Sequence, residues 1–261
     1  MKKGRGTKGR GIAIAALLVA IGVMGYAGFQ LYKADQVYQE GNKTYDGLRG
    51  WVRESPPVQG NTAALPAKEP NVFIPAFSTD FDILKAINND SAAWLYSPGT
   101  EIDYPVMETD NYSYYLSHLP DGTVNANGAL FIDYNNAPDF SDPLTVIYGH
   151  HMQSGKMFGG LKGYKEQGYF EEHPYMYLYT EQGNYRIDLM YGCVIDAGQW
   201  REQAFMFAEN TDALIAYAAA NTTFRSGLSY AKGDRIVALS TCSYEFDDAR
   251  YVVIGALRAE Y

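Results

Sequence analysis

Cysteine is scarce in this sequence, because only Cys193 and Cys242 occur among 261 residues, so at most one disulfide can form. Internal repeats and low-complexity tracts are absent. Basic residues are also few outside the first ten positions: without the five that lie there, 16 basic residues remain against 30 acidic ones, a net charge of −14. Such a surface repels polyanions, so we expect no nucleic acid partner.

Charge is absent from Gly11 to Phe29, and this gap predicts a membrane span. A helix of that length is about 28 Å long, close to the hydrocarbon thickness of a bilayer. The preceding segment has no acid and five basic residues: Lys2, Lys3, Arg5, Lys8 and Arg10. The positive-inside tendency therefore predicts a cytoplasmic tail over 1–10, a transmembrane signal anchor over 11–32 and an extracellular remainder. The alternative is a cleaved signal peptide, whose apolar core is usually shorter.

Residues 33–75 are predicted to be a stalk and linker. The polar stretch 35–54 with its scattered aromatics favours a helix, although three glycines weaken it. Prolines between 56 and 70 prevent that helix from continuing. One folded domain is therefore predicted over 76–261, which is long enough to bury a substantial core.

Strand-like runs dominate this domain, and two helices interrupt them. The eight predicted strands are 92–96, 101–106, 129–133, 144–148, 175–180, 185–195, 235–239 and 251–257. Separated by Gly, Pro, Asn and Asp turns, they predict a mainly β fold and a closed or nearly closed barrel. Helices are predicted over 81–87 and over 212–222 with Thr211 as its cap, while four glycines are expected to break a helix over 157–170 into turns.

A candidate nucleophile and a candidate anion stabiliser flank one hairpin-like return near the C-terminus. Cys242 follows a strand, and Arg250 begins the next one. A thiolate can attack a carbonyl, and a guanidinium, charged at any working pH, suits the developing oxyanion. The amide of Ser243 is a candidate second oxyanion donor. Ser240 and Thr241 either orient the thiol or the substrate, or satisfy local hydrogen bonds.

The competing interpretation of Cys242 is structural, since a disulfide with Cys193 would consume the nucleophile. Cys193 itself lies in an apolar, strand-like run and is predicted to be a buried core residue. No spacing of acidic residues, Asp247 and Asp248 included, compels a metal site, and no cofactor is expected.

A candidate base lies about ninety residues upstream, where an apolar run ends in Gly149-His150-His151. Acyl transfer needs a group that titrates near neutral pH, as histidine does. Successive side chains on extended backbone point to opposite faces, so only one of His150 and His151 can face the thiol. Periodicity does not decide between them.

These motifs resemble the class B sortases, membrane-anchored cysteine transpeptidases of Gram-positive bacteria. The matching segments span roughly residues 80 to 258 and are Gly99–Val106, Tyr148–Met152, Leu239–Cys242 and Arg250–Val253. The resemblance implies an eight-stranded sortase-like β-barrel with an N-terminal helical addition and one or two peripheral helices, one of them before the seventh strand. It also selects His150, the histidine directly after glycine, as the partner of Cys242 and Arg250.

The resemblance further implies a function. The enzyme would cleave the C-terminal sorting signal of secreted proteins, commonly with an Asn-Pro-x-Thr-x core, through a Cys242 thioester. It would transfer the acyl group to an amine of a peptidoglycan precursor or of a pilin lysine, at the outer face of the cell membrane. Two alternatives remain: a hydrolytic cysteine protease that uses the same three residues, and a non-enzymatic surface receptor whose groove binds peptide. Selective alkylation of a reactive thiol would separate enzyme from receptor.

Overall fold

A closed eight-stranded barrel forms the centre of the computed structural model, which describes residues 6–54, 77–201 and 210–259. The strands in chain order are β1 (Arg53–Glu54), β2 (Ser78–Thr79), β3 (Ser91–Tyr96), β4 (Asp103–Met107), β5 (Leu130–Ile132), β6 (Leu144–Tyr148), β7 (Tyr175–Thr180), β8 (Gly183–Asp196), β9 (Arg235–Cys242) and β10 (Ala249–Ala259). Around the barrel their order is β10-β8-β7-β3-β4-β5-β6-β9, while β1 and β2 form a separate antiparallel pair. Each of the eight barrel strands overlaps one predicted run, with ends that differ by up to three residues, so the predicted fold is confirmed. The largest difference is in β9, which continues to Cys242 and therefore includes the residue that was predicted to follow it.

Two of the barrel's neighbouring pairs are parallel, β4 with β5 and β6 with β9. In the second pair Tyr148 is opposite Ser240. Parallel strands point the same way, so their C-terminal ends meet at one edge of the barrel. Two segments about ninety residues apart in sequence are thereby brought side by side, each followed by one of the predicted site motifs.

The helices lie outside the closed barrel. They are α1 (Gly6–Val52), α2 (Phe81–Ile87), α3 (Gln167–Glu172), α4 (Ala197–Arg201) and α5 (Thr211–Ala220), with 3-10 turns over Tyr114–Leu116 and Gly159–Lys165. The stretch 157–170 breaks up as its glycines predict. The helix predicted over 212–222 is α5, and it precedes β9, the seventh barrel strand. Its predicted cap is wrong, because Thr211 is already helical and Asn210 occupies the cap position.

The barrel wall has an apolar layer on each side. Side chains such as Leu239 and Val253 belong to the main core, whereas Ala238 and Val252 face a second cluster that also contains Trp200 of α4. Strand alternation explains this division, because consecutive residues of β9 and β10 point to opposite faces. Ser240 and Cys242, at even positions of β9, therefore lie on the outer face together with Ala238.

The helix α1 joins an exposed apolar half to a half that packs on the barrel. Residues 11–40 are exposed, and the span is long and apolar enough to cross a membrane. From Gly41 onward, Gly41, Tyr45, Leu48 and Val52 are buried, at intervals of three and four residues that define one helix face. Within the predicted stalk, residues 33–40 are exposed, whereas Tyr45, Leu48 and Val52 belong to the main core. The remainder, 55–76, lies outside the described residues.

Candidate active site

Cys242 and Arg250 lie directly opposite each other on the antiparallel strands β9 and β10. The amide of Ser243 donates to the carbonyl of Ala249 at 2.9 Å, which makes Cys242 and Arg250 a non-hydrogen-bonded pair. Side chains of such a pair project to the same face, with Cβ atoms about 5 Å apart. The hairpin thus holds thiol and guanidinium together. The same bond engages the Ser243 amide within the hairpin, so this candidate oxyanion donor already has an acceptor.

The guanidinium of Arg250 is anchored by its own loop. Its Nη1 donates to the carbonyls of Ala249 at 3.0 Å and Asp248 at 3.4 Å. Asp248 has a left-handed backbone with φ of 62°, uncommon for a residue other than glycine, and this turn directs the two carbonyls towards the arginine. Both bonds leave from one terminal nitrogen. The orientation of the guanidinium is therefore restrained by backbone that belongs to the same turn as Cys242.

His150 follows β6 and is half-buried. Its Nε2 lies 2.7 Å from the carbonyl oxygen of Leu116. Gly149, just before it, has no room for a side chain, since a Cβ there would be 2.8 Å from the Phe158 ring and closer still to Leu130. The glycine lets the chain leave β6 tightly against its neighbours and turn the next side chain, His150, out of the core.

Thr241 connects the two segments that carry Cys242 and His150. Its buried Oγ1 donates to the carbonyl of Gly149 at 2.8 Å, and the amide of Gly149 donates to the carbonyl of Ser240 at 3.2 Å. These bonds continue the parallel β6–β9 pairing beyond its last strand residues. One hydroxyl therefore fixes the position of the histidine segment relative to the cysteine segment.

His151 has a different environment from His150. Its ring is edge-on to Tyr244 at 5.2 Å between ring centroids. Burial lowers the pKa of the His151 imidazole, and the nearby charges of Lys162 and Lys165 lower it further. A hydrogen bond with the Cys242 backbone acts in the opposite direction and raises it. His151 therefore lies beside the backbone of Cys242 and the ring of Tyr244, in surroundings that favour its neutral form.

A cavity of about 570 Å³ brings the predicted residues together. Its walls include His150, Cys242 and Arg250, together with Ser240 and Thr241. The remaining wall residues are mainly aromatic or aliphatic: Tyr112, Leu116, Phe131, Tyr148, Gly149 and Trp200. An apolar cavity with a few convergent polar groups is typical of a ligand site, and this volume is within the range usual for ligand pockets.

Asp133 organises the polar side of this cavity. The carboxylate is almost fully buried and accepts hydrogen bonds from the hydroxyls of Tyr148 at 2.8 Å and Tyr112 at 3.0 Å. Burial raises the pKa values of both phenols, and the adjacent carboxylate raises them further. Both hydroxyls are therefore neutral donors, and the two rings are held edge-on to each other at 5.9 Å.

A charged cluster restrains the residues after Cys242. Lys165 Nζ donates to Ser243 Oγ at 3.1 Å and forms an ion pair with Glu245, which also accepts a hydrogen bond from Ser243 Oγ. Although burial opposes it, these bonds lower the pKa of the Glu245 carboxyl to about 2. The ammonium lies 4.9 Å from the centre of the Tyr251 ring. This clamp, Lys165 with Ser243 and Glu245, fixes the start of the β9–β10 loop.

The two cysteines are both free, so the disulfide alternative is wrong for this structure. Cys193 is fully buried in β8, as predicted, whereas Cys242 is exposed. Burial raises the pKa of the Cys193 thiol to about 12. Only Cys242 therefore presents a thiol to solvent and to the cavity.

The sequence analysis did not predict the clamp or the aromatic wall of the cavity, which consists of Tyr112, Phe131, Tyr148 and Trp200. Tyr148 stands directly before the Gly149-His150 motif, and its place at the end of a strand was a usable signal. Tyr112, Leu116 and Lys165 carried no such signal, because their partners lie far away in sequence and only the closed barrel brings them close.

A closed barrel that presents an exposed thiol, an imidazole and a guanidinium at one cavity defines the class of cysteine-dependent acyl-transfer enzymes. Residues 95–258 match the family model described as the sortase domain. The chain belongs to the sortase family, its relatives are class B sortases, and it is therefore a cysteine transpeptidase.

Three relatives illustrate the similarity. Sortase B of Listeria monocytogenes is 30% identical over 178 residues, which are 67% of this chain and 72% of that protein. The structure of Clostridium perfringens sortase B superposes with a TM-score of 0.62 at 29% identity, covering 68% of this chain and 98% of the other. A class B sortase of Streptococcus pyogenes, described as involved in pilus biogenesis, gives a TM-score of 0.61 at 29% identity, covering 68% and 97%.

Proposed function

We propose that this protein is a membrane-anchored transpeptidase that cleaves a C-terminal sorting signal, with an Asn-Pro-x-Thr-x-like core, and passes the acyl group to an amine. The observation that carries the proposal is the facing pair of Cys242 and Arg250 on one wall of a cavity that His150 also lines. Three roles in acyl transfer, those of nucleophile, proton carrier and oxyanion stabiliser, then fall to three side chains that share one site.

In the first half-reaction the Cys242 thiolate attacks the carbonyl carbon of the scissile peptide bond. The developing oxyanion is stabilised by N–H groups of Arg250. His150, as the imidazolium, gives its proton to the departing amine as the C–N bond breaks, and an acyl-enzyme thioester remains. In the second half-reaction the acceptor amine attacks the thioester, His150 takes its proton, and the C–S bond breaks to return the thiolate and leave a new amide.

The cavity has a polar group available for a peptide backbone. The hydroxyl of Ser240 is buried at the cavity wall and has no hydrogen-bond partner among the described residues. An unpaired buried hydroxyl is costly, and a substrate backbone group would satisfy it. The aromatic wall would enclose the apolar parts of the sorting signal, with the Tyr112 and Tyr148 rings fixed by Asp133.

The length and composition of α1 support the membrane placement. Residues 1–10 would form a basic cytoplasmic tail and 11–32 the span, so the barrel would face the outside of the cell. Substrate and acceptor confined to the same membrane plane would meet the tethered enzyme at raised effective concentration. The acceptor would be a peptidoglycan amine or, by analogy with the Streptococcus pyogenes relative, a pilin lysine.

The test uses the full chain in detergent with fluorescent Asn-Pro-x-Thr-x peptides, with and without an added amine, followed by mass spectrometry. We expect an amide-linked product that disappears in Cys242→Ala and persists in Cys193→Ala. Arg250→Ala should lower kcat by about 100-fold or more, as for loss of an oxyanion donor. Arg258→Ala, at the far end of β10, is the matched control and should leave kcat nearly unchanged. Release of free acid alone, with amine present, would support a hydrolase and contradict the transfer step.

A further inference from the structure

The membrane span and the barrel are connected by helix and not by a flexible segment. Helix α1 runs from Gly6 to Val52 without interruption. Its residues 11–40, which include the apolar stretch, are exposed, and one face of its last turns is buried against the barrel. A helix rises by about 1.5 Å per residue, so the distance between the span and the docked turns is fixed by the number of residues between them.

Several of the docking contacts lie on one loop beside the barrel, residues 125–128. Asn125 Nδ2 donates to the carbonyl of Val37 at 2.8 Å, and the two asparagines of this loop leave no space for a side chain at Gly41. Further along the helix, the buried hydroxyl of Tyr45 donates to the carbonyl of Gly128. Because these contacts extend over more than two turns, the helix is held in direction as well as in position.

The loop 125–128, which contacts α1, also borders the active site. A Cβ added to Gly128 would lie 3.0 Å from Cδ2 of His150 and 3.1 Å from the carbonyl oxygen of Leu116. That carbonyl is the group that lies 2.7 Å from His150 Nε2. The active-site histidine is therefore at about the level of Tyr45 along the helix.

We propose that α1 acts as a ruler, which holds the active site at a fixed height above the bilayer and so sets how far a substrate's scissile bond must lie from the membrane. The inference rests on the proposed function, for it assumes the anchor and a substrate that is itself held in the bilayer. From Tyr32 to Tyr45 the helix rises by about 20 Å. An extended peptide covers that height with about six residues.

The experiment places the full chain in liposomes with substrates of graded length. Each substrate joins an Asn-Pro-x-Thr-x peptide, through a Gly-Ser spacer of 2 to 16 residues, to an apolar membrane helix. We expect little cleavage below about six spacer residues, then a maximum and a slow decline as effective concentration falls. A helix-forming insertion of seven residues after Ala34 raises the barrel by about 10 Å and turns it by only about 20°. The threshold should then move up by about three spacer residues.

The matched control is a seven-residue Gly-Ser insertion at the same position. It adds the same number of residues as a flexible chain, so the barrel can lie at many heights above the bilayer. Cleavage should then increase gradually with spacer length, and shorter spacers should also react. Cleavage of the same peptide without a membrane helix should be equal in all three proteins, which shows that the barrel is intact. If the proposed function fails, the wild-type protein cleaves none of these peptides. If only the ruler fails, the peptide without a membrane helix is still cleaved, and that cleavage is lost in Cys242→Ala.

A second measurement does not depend on turnover. A fluorescent donor attached to the exposed Cys242, with acceptors in the lipid headgroups, reports the height of the site by energy transfer. The helical insertion should increase that height by about 10 Å, and the flexible insertion should broaden the distribution. A threshold and a height that both stay the same after the helical insertion would overturn the proposal.

Discussion

Two cysteines of this chain have opposite chemistry because the strands place them in different surroundings. Burial raises the pKa of Cys193 to about 12, whereas Cys242 ends β9 in the open. Iodoacetamide reacts with accessible thiolates, so we expect one modified site in the native protein at pH 8, at Cys242. Peptide mass spectrometry checks this, with Cys242→Ala as the unlabelled control. Modification of Cys193 in the folded protein would contradict the assignment.

The hydroxyl of Thr241 is predicted to position the site. Thr241→Val keeps the shape of the side chain but leaves the buried Gly149 carbonyl without its 2.8 Å partner. The cost should be about 1–3 kcal/mol in the free energy of unfolding. Because the bond fixes the histidine segment against the cysteine segment, kcat should fall by about tenfold or more while KM changes little.

Thr241→Ser is the matched variant, because it restores the donor and loses only a methyl group. It should recover most of the lost kcat. Steady-state kinetics on a cleavable peptide and urea unfolding of both variants separate the two effects. If Val and Ser were equally active, the hydroxyl would have no positioning role.

The clamp should make stability depend on pH in acid. The folded state lowers the pKa of Glu245 from 4.5 to about 2, so it holds the carboxylate where the unfolded chain takes up a proton. The resulting stabilisation is fully present above about pH 5 and is lost as the pH falls towards 2. Because the carboxylate is 37% exposed, we expect no more than about 1 kcal/mol.

Glu245→Gln removes the titration and measures this contribution. The difference in unfolding free energy between wild type and variant should be largest near pH 6 and shrink towards zero near pH 2.5. Lys165→Met should reduce the same pH dependence, since Glu245 loses its ion-pair partner and keeps the hydrogen bond from Ser243. A difference that does not change with pH would show that the clamp is not electrostatic.

Among the elements, strands were predictable individually and their partners were not. The short apolar, β-branched runs of β6 and β9 indicate that each is a strand, but such a run has no information on which strands pair or in which direction. The parallel pairing of β6 with β9 therefore could not be foreseen, and neither could the Thr241–Gly149 bond that depends on it. By contrast, Cys242 and Arg250 are neighbours through one short hairpin, so their proximity was readable from sequence.

The glycines of α1 suggest a weaker helix than the one that forms. Three glycines lower helix propensity over 35–54, yet the helix is continuous, because docking of its apolar face outweighs propensity. Gly41 lies where Asn125 and Asn127 press on the helix, whereas Gly50 has open space around it. The same residue type thus serves close approach at one position and has no contact role at the other.

Gly41→Ala and Gly50→Ala should therefore change stability in opposite directions. At Gly41 the methyl group collides with both asparagines, which should destabilise by about 1–3 kcal/mol. At Gly50 it meets nothing and should stabilise by up to about 1 kcal/mol through helix propensity. Urea unfolding in detergent measures both. Asn127→Ala, added to Gly41→Ala, should recover part of the loss, and equal shifts for the two glycines would contradict the docking.

For the whole molecule, the packed unit begins in the helix that leaves the proposed membrane span. A fragment that starts at residue 72 retains the entire barrel but exposes the surface that Tyr45, Leu48 and Val52 cover. Burial of each such side chain contributes about 1.5–3 kcal/mol, so the loss of all three, about 4.5–9 kcal/mol, is comparable to the total stability of a small domain.

Two soluble fragments test how far the barrel depends on this helix. The fragment 33–261 keeps the docked turns, including the 3.1 Å ion pair of Arg49 with Asp103, and the fragment 72–261 removes them. We expect the shorter fragment to unfold at a clearly lower urea concentration and to cleave peptide more slowly, because the loop at Gly128 that borders His150 loses its support. Adding a synthetic peptide of residues 33–54 should restore part of both properties. Equal midpoints and equal rates would show that the barrel is complete without α1, and the helix would then serve the membrane alone.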